Sequence, residues 1–213
     1  FGIVGPDGAG KTTTLRMLAG VLPPTSGRAV IHGVDVGEDP EGVKPFIAYM
    51  SQQFGLYQDL TVRENIDFYA DLYRVPAADR PARMERLFAF SNLGPFQGRL
   101  AGQLSGGMKK RAGLARALAL NPEIVFLDEP SAGLDPVTSA EIDELLLTIN
   151  RTAGTTLVIV THELASIFAV AQRVIMLDKS TRNIIAEGDP RRLRDDSDDA
   201  RLRAFFRRTA EAA

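Results

Sequence analysis

Short apolar, β-branched runs recur along the chain, and helical patterns fill many of the intervals between them. The runs are nearly continuous, which is typical of strands that are buried on both faces of a sheet. Strands are predicted at residues 1–4, 29–32, 46–50, 124–127, 156–161, 174–177 and 184–186. The alternation of strands with helices predicts an α/β fold with a mainly parallel sheet.

Residues 61–120 interrupt this alternation, because their apolar periodicity is helical and they contain no strand-like run. Thr61 and Glu64 have the spacing of a capping box, which predicts a helix start there. Two apolar stripes at helical spacing follow, and we interpret both as core: Ile66, Phe68, Tyr69, Leu72 and Tyr73, then Met84, Leu87, Phe88 and Phe90. We therefore predict a single domain over residues 1–213, with a helical subdomain at 56–120 inserted into an α/β core formed by 1–55 and 121–213.

The composition narrows the functions that are open to the chain. A net charge of −2 and a pI near 5.8 argue against a nucleic-acid partner. The sequence has no cysteine, which excludes disulfides and thiolate metal sites. No apolar run reaches the roughly 18 residues that a membrane-spanning helix needs. Because the chain begins within a strand and without methionine, we expect the native N-terminus to lie upstream.

A glycine-rich stretch, GPDGAGKTT, follows the first strand and precedes a helix. It matches G-x-x-x-x-G-K-[ST], in which backbone amides wrap the β-phosphate of a nucleotide. Lys11 would reach the β- and γ-phosphates, and the hydroxyl of Thr12 would bind Mg²⁺. The predicted nucleotide-binding residues are Gly5, Gly8, Ala9, Gly10, Lys11, Thr12 and Thr13. The alternative is a glycine-rich turn with an exposed lysine.

Two adjacent acids end the apolar run IVFLDEP. Asp128 is placed to hold Mg²⁺, and Glu129 to orient and deprotonate an attacking water. The alternative is that both acids are solvated at the start of a loop.

The stretch LSGGMKKRAGLARALAL begins with a serine and two glycines in front of a predicted helix. Ser105 is a favourable N-cap residue, and alanines strengthen the helix that follows. Gly106 and Gly107 leave the first amides of the helix open to an anion. Taken alone, this stretch fits either a capped helix with a flexible entrance or a phosphate site.

The ordered set of the P-loop, LSGGM, FLDEPSAGLDP and IVTH resembles the ATP-binding cassette (ABC) ATPases. This resemblance covers nearly the whole chain and implies the P-loop NTPase fold, with an antiparallel edge sheet in the intact protein. It also implies that ATP and Mg²⁺ are bound and that ATP is hydrolysed. An aromatic residue that stacks on adenine lies upstream of the P-loop in that family, so none can be assigned here.

The same resemblance assigns the remaining site residues. Ser105, Gly106 and Gly107 would bind the γ-phosphate of ATP held by a second cassette, in a head-to-tail dimer that we expect to be a homodimer. Gln52 would contact Mg²⁺ and take part in catalysis, Asp135 would lie at the dimer interface, and His162 would contact the γ-phosphate and hold the attacking water. The catalytic set is then Glu129, His162, Gln52 and Lys11, and the metal ligands are Thr12, Gln52 and Asp128.

Within the family, the first half resembles ATPases of drug exporters with ABC-2-type membrane subunits, and the second half resembles ATPases of Mce/Mla-type lipid transporters. The expected function is ATP-driven transport through a separate permease, at the cytoplasmic face of the inner membrane, with drug or small-molecule export preferred over lipid transport. Two alternatives are weighed: a soluble ABC ATPase outside transport, and a P-loop kinase of small molecules. The kinase would leave the LSGGM and SAGLDP segments without a role.

Overall fold

The computed structural model describes residues 1–53 and 55–207. In chain order the elements are β1 (Gly2–Val4), α1 (Lys11–Leu18), β2 (Val30–Ile31), β3 (Val34–Asp35), α2 (Pro40–Val43), β4 (Ile47–Met50), α3 (Val62–Leu72), α4 (Arg80–Ser91), α5 (Gly106–Leu118), β5 (Ile124–Asp128), α6 (Pro136–Ala153), β6 (Thr156–Val160), α7 (Leu164–Val170), β7 (Val174–Asp178), β8 (Asn183–Gly188), α8 (Pro190–Asp196) and α9 (Ala200–Arg207). Two 3₁₀ turns, Gly94–Phe96 and Ala101–Gln103, lie between α4 and α5. The last six residues of the predicted domain, 208–213, lie outside the described residues.

Within the described residues, six strands form one sheet in the order β4-β5-β6-β1-β7-β8. Neighbouring strands are parallel except for β7 and β8, which are antiparallel. A separate antiparallel pair joins β2 and β3. The predicted α/β fold with a mainly parallel sheet is confirmed, as is an antiparallel edge. The sequence pattern missed β3, because its two residues, Val34 and Asp35, include a charged side chain and form no apolar run.

The strand order brings four connecting segments to one edge of the sheet. β4, β5, β6 and β1 are consecutive neighbours, and parallel strands place their carboxyl ends on the same side. The segments that leave these ends carry Gln52, Asp128 with Glu129, His162 and the P-loop. The fold therefore places the P-loop, Gln52, Asp128, Glu129 and His162 at one edge of the sheet, whereas Ser105, Gly106, Gly107 and Asp135 lie at the starts of α5 and α6.

Residues 56–120 have an apolar core of their own. Helices α3, α4 and α5 share a buried cluster that includes Ile66, Met84, Leu87, Phe88 and Ala115. Thr61 caps α3, and the predicted capping box with Glu64 is present. The division into an inserted subdomain and an α/β core stays a prediction that agrees with this separate cluster.

The first apolar stripe was predicted wrongly as core. Ile66 is fully buried, but Phe68, Leu72 and Tyr73 expose 40%, 59% and 44% of their surface. The buried face of α3 is formed by smaller side chains instead, namely Val62, Asn65, Ile66 and Ala70. Both faces of α3 are apolar, so periodicity alone could not decide which one packs inward.

The final described helix, α9, packs against α7 and β7. Leu202 and Phe206 of α9 are 2% and 3% exposed, and they pack in a cluster with Ile167 and Met176. Among the helices of the described residues, none is both long and apolar enough to cross a membrane.

Candidate functional site

The P-loop is shaped by backbone geometry that side chains would not permit. Gly5 has φ +143°, and a Cβ added there would lie 2.3 Å from the carbonyl oxygen of Leu177. Gly10 has φ +91° and is the N-cap residue of α1, whose first turn no side chain caps. The first amides of α1 are therefore directed at the loop mouth, where the helix dipole favours an anion.

Lys11 is only 8% exposed and lies against the loop that it closes. Its Nζ donates hydrogen bonds to the carbonyl oxygens of Gly5 at 2.8 Å and Pro6 at 3.0 Å. This places a positive charge beside the start of α1. The arrangement excludes the alternative of a turn with an exposed lysine.

Two of the three predicted metal ligands, Thr12 and Asp128, are in contact. Thr12 Oγ1 donates to Asp128 Oδ1 at 2.9 Å, and the hydroxyl of Tyr49 lies 3.5 Å from Asp128 Oδ2. Burial raises the pKa of Tyr49, so its hydroxyl stays a neutral donor. Magnesium is commonly held by one or two protein oxygens together with substrate phosphates, and the Thr12 and Asp128 oxygens fit that pattern.

Glu129 adopts a strained backbone conformation immediately after β5. Its φ is +51°, in the left-handed region, which costs a non-glycine residue about 1 kcal/mol. Its amide donates to the carbonyl oxygen of Val160 at 2.8 Å. The carboxylates of Glu129 and Asp128 have different partners, because Glu129 contacts His162 and Asp128 contacts Thr12.

The carboxylate of Glu129 meets His162. Glu129 Oε1 and His162 Nδ1 are 2.8 Å apart, and Glu129 is 8% exposed. The other carboxylate oxygen, Oε2, is buried and has no hydrogen-bond partner in the described residues. A buried acceptor without a partner is costly in a purely structural role, so Oε2 is available to accept a proton or a hydrogen bond from water.

Gln52 lies two residues after β4 and is exposed. Its carbonyl oxygen faces the buried ammonium of Lys110, 3.4 Å away, which also donates to the carbonyl oxygen of Glu129 at 2.8 Å. Sequence reasoning missed Lys110. The signal was present, because Lys110 lies three residues after Gly107 and four before Leu114, both on the buried face of α5.

The segment SGG begins α5. Ser105 is the N-cap residue, and its Oγ accepts a hydrogen bond from the amide of Met108 at 3.3 Å. A Cβ on Gly106 would lie 3.3 Å from Leu134 Cδ2, and one on Gly107 would lie 2.5 Å from Thr138 Cγ2. The second glycine is thus required by packing within the chain itself, in addition to any approach of a phosphate.

Asp135 caps the neighbouring helix α6. It accepts hydrogen bonds from the amides of Val137 and Thr138 and from the Thr138 hydroxyl, the last at 2.5 Å. The Thr138 hydroxyl is the largest cause of a lowered pKa at Asp135. This bond also fixes the rotamer of Thr138 and points its methyl group at Gly107.

Replacing Gly107 with alanine should destabilise the protein, because the new methyl group overlaps Thr138. We expect a loss of about 1–3 kcal/mol in the free energy of unfolding, as for other overpacked sites. Thr138→Ser removes the opposing methyl group, so the double variant should recover most of the loss. Denaturant titration of both single variants and the double variant measures this, with Gly106→Ala as the matched control. Additive losses in the double variant would contradict the packing explanation.

The chain is similar in sequence to known ATP-binding proteins of ABC transporters. A profile of the family described as ABC transporter matches residues 1–132. The probable multidrug ABC transporter ATP-binding protein YbhF of Escherichia coli K12 is 50% identical over 145 residues, covering 68% of this chain and 25% of YbhF. The methionine import ATP-binding protein MetN of Geobacillus kaustophilus is 39% identical over 193 residues, covering 89% of this chain and 56% of MetN.

Solved structures show the same fold. The dimeric, post-hydrolysis structure of the ATP-binding cassette MJ0796, bound to ADP and Pi, has a TM-score of 0.76 and 31% identity over 88% of this chain and 84% of that one. CbiO1 from Clostridium perfringens, part of the ABC transporter complex cbiONQ, has a TM-score of 0.81 and 26% identity over 90% and 77%. The chain spans only about a quarter to just over half of the curated relatives YbhF and MetN.

Proposed function

This chain belongs to the ABC transporter family, and from that premise we propose that it is the ATP-hydrolysing subunit of a transporter with separate membrane subunits. The observation that carries the proposal is the pairing of Glu129 with His162 at the sheet edge where Thr12 meets Asp128 and the P-loop begins. A kinase site would not need this pair, nor the packed SGG segment.

The residues have distinct tasks in the proposed reaction. The amides of the P-loop and Lys11 bind the phosphates, and Glu129 accepts the proton of the attacking water. His162 orients the Glu129 carboxylate and contacts the γ-phosphate. Mg²⁺, held by Thr12 and Asp128 with Gln52, would neutralise charge on the β- and γ-phosphates when bound.

We propose that the active assembly is a head-to-tail dimer of two such cassettes. Ser105, Gly106 and Gly107 of one copy would bind the γ-phosphate of ATP on the P-loop of the other. The open start of α5 supports this, because Ser105 and Gly106 are exposed and present helix amides. The structure of MJ0796 bound to ADP and Pi supports it too, since that cassette is dimeric.

For the type of transporter, we propose a drug or small-molecule exporter with ABC-2-type permease subunits. The 50% identity with YbhF over 145 residues supports this choice. The 39% identity with MetN concerns a protein named for import, so identity with the family alone does not set direction. The proposed location is peripheral, at the cytoplasmic face of the inner membrane.

An exposed apolar patch, formed by α3 and the residues on either side of it, is the proposed contact with the permease. Tyr57, Phe68, Leu72 and Tyr73 are 40–59% exposed, and Phe68 packs edge-on against Tyr57 with ring centroids 5.0 Å apart. An apolar patch of this kind marks an interaction site.

Leu72→Asp should abolish co-purification of the cassette with an ABC-2-type permease, because it places a charge in this patch. Ile184→Asp is the matched control, since Ile184 is 50% exposed on β8, at the opposite edge of the sheet from β4. The measurement is pull-down from membranes that contain the permease. Capture of a lipid-transport permease instead, or full retention by Leu72→Asp, would contradict the proposal.

A further inference from the structure

Lys110 is a buried cation that the proposed function does not yet use. It lies on α5, five residues after Ser105, and only 2% of its surface is exposed. Lysine is almost never fully buried unless its charge is paired, because the ammonium loses its hydration. Its place in the core therefore calls for partners that compensate this cost.

Two hydrogen-bond acceptors of Lys110 in the described residues come from two segments of the nucleotide site. Nζ donates to the carbonyl oxygen of Glu129 at 2.8 Å and lies 3.4 Å from the carbonyl oxygen of Gln52. Burial lowers the pKa of Lys110, and the negative charges of three acids, Glu129, Asp128 and Glu163, partly oppose this shift. The Lys110 ammonium thus lies near the acidic side chains at the carboxyl ends of β5 and β6.

Glu129 is fixed from three directions, and Lys110 supplies one of them. The amide of Glu129 is held by Val160 of β6, its carboxylate by His162, and its carbonyl by Lys110 of α5. The φ of +51° needs such restraints, because a residue stays in the left-handed region only where its surroundings over-determine it. Without the ammonium, the carboxylate would lose part of its orientation.

The position of Lys110 also connects two nucleotide sites. Gln52 and Glu129 would act on ATP bound by their own chain, whereas Ser105, on the same helix as Lys110, would act on ATP bound by the other copy. The Lys110 ammonium therefore contacts backbone of the site for its own chain's ATP, although its helix begins with the segment that serves the other copy's ATP. The contact between Lys110 Nζ and the carbonyl oxygen of Gln52 therefore links the segment after β4 to helix α5.

We propose that Lys110 is a positioning residue that holds Glu129 for catalysis. It also couples each nucleotide site of the dimer to helix α5 of the same chain, whose SGG segment serves the other site. This inference rests on the proposed function. Lys110 does not touch the nucleotide, so its removal acts on the hydrolytic step and on cooperativity rather than on ATP affinity.

The test compares Lys110→Met with Lys110→Arg and with Lys109→Met, a change of the neighbouring, partly exposed lysine. We expect kcat for Mg-ATP to fall at least about tenfold in Lys110→Met, part of the 10²–10⁴ that a positioned base contributes. The Kd for ATP should change less than about threefold, and the Hill coefficient should fall toward one. Lys110→Arg should recover most of the rate, and Lys109→Met should match the wild type.

Two results would overturn the inference. A folded Lys110→Met protein with wild-type kcat and Hill coefficient is the first. The second is a loss of ATP affinity by the same factor as kcat, which would mean a general structural role. If Lys110→Met does not fold, Lys110→Gln, which keeps one donor without charge, is judged by the same criteria.

Hydrogen exchange separates this inference from the proposed function. Amides in segments 51–53 and 129–132 should exchange faster in Lys110→Met than in Lys109→Met, whether or not the protein hydrolyses ATP. Wild-type protein without ATPase activity would contradict the proposed function, and the exchange data would then decide on the Lys110 contacts alone. Equal exchange in both variants would refute those contacts.

Discussion

Glu129→Gln should lower the rate of ATP hydrolysis about 100-fold or more while leaving ATP binding intact. The amide has nearly the shape of the carboxylate but cannot accept a proton, so the water is no longer activated. The change alters only the side chain of Glu129 and leaves the P-loop and Lys11 as they are. Steady-state kinetics gives kcat, and equilibrium titration with ATP in the absence of turnover gives Kd.

The matched control for this change is Glu85→Gln, because Glu85 is exposed on α4 and outside the nucleotide site. It should leave both kcat and Kd at wild-type values. A Glu129→Gln protein that hydrolyses ATP at the wild-type rate would show that another group is the base. Loss of ATP binding in that variant would show that Glu129 holds the site together rather than acting on water.

Ser105→Arg should prevent ATP-driven dimerisation while each monomer still binds ATP at its P-loop. Ser105 is exposed at the start of α5, where a long charged side chain would fill the space that a γ-phosphate needs. The change also removes the N-cap, which is worth about 1 kcal/mol. Ser105→Thr keeps the cap and is the control, and it should dimerise. Sedimentation of both variants in Mg-ATP, with ATP titration of each, makes the measurement.

Normal dimerisation of Ser105→Arg would remove the role assigned to the SGG segment. Failure of both Ser105 variants to fold or to bind ATP would instead point to the cap itself as the main function of the serine.

The sequence predicted the parts of the site that depend on local motifs. The P-loop follows β1, Asp128 ends β5 with Glu129 directly after it, and Ser105 caps α5, because each feature is set by neighbours in the chain. The order of the parallel strands then places the P-loop after β1 and the acids after β5 at the same edge of the sheet. The roles of the individual site residues stay predictions.

Other features depend on tertiary packing and could not be read from local patterns. The aromatic stripe of α3 was predicted as core, but the opposite face, with Val62 and Ile66, packs inward. The sequence offered Gly107 as part of a flexible helix entrance or of a phosphate site, whereas packing against Thr138 on another helix also requires glycine there. Lys110 is a different case, because its spacing from Gly107 and Leu114 already indicated the buried face of α5, although no role was predicted for it.

The most direct test of the account is the mass in solution of the Glu129→Gln protein, with and without Mg-ATP. The proposed head-to-tail dimer predicts a mass that doubles when Mg-ATP is added, from 23.1 kDa for one copy of this chain to twice that value. ATP must be shown to bind under the same conditions, by titration. A protein that binds Mg-ATP and keeps the mass of a single chain would contradict the claim that Ser105, Gly106 and Gly107 act on the nucleotide of a second copy.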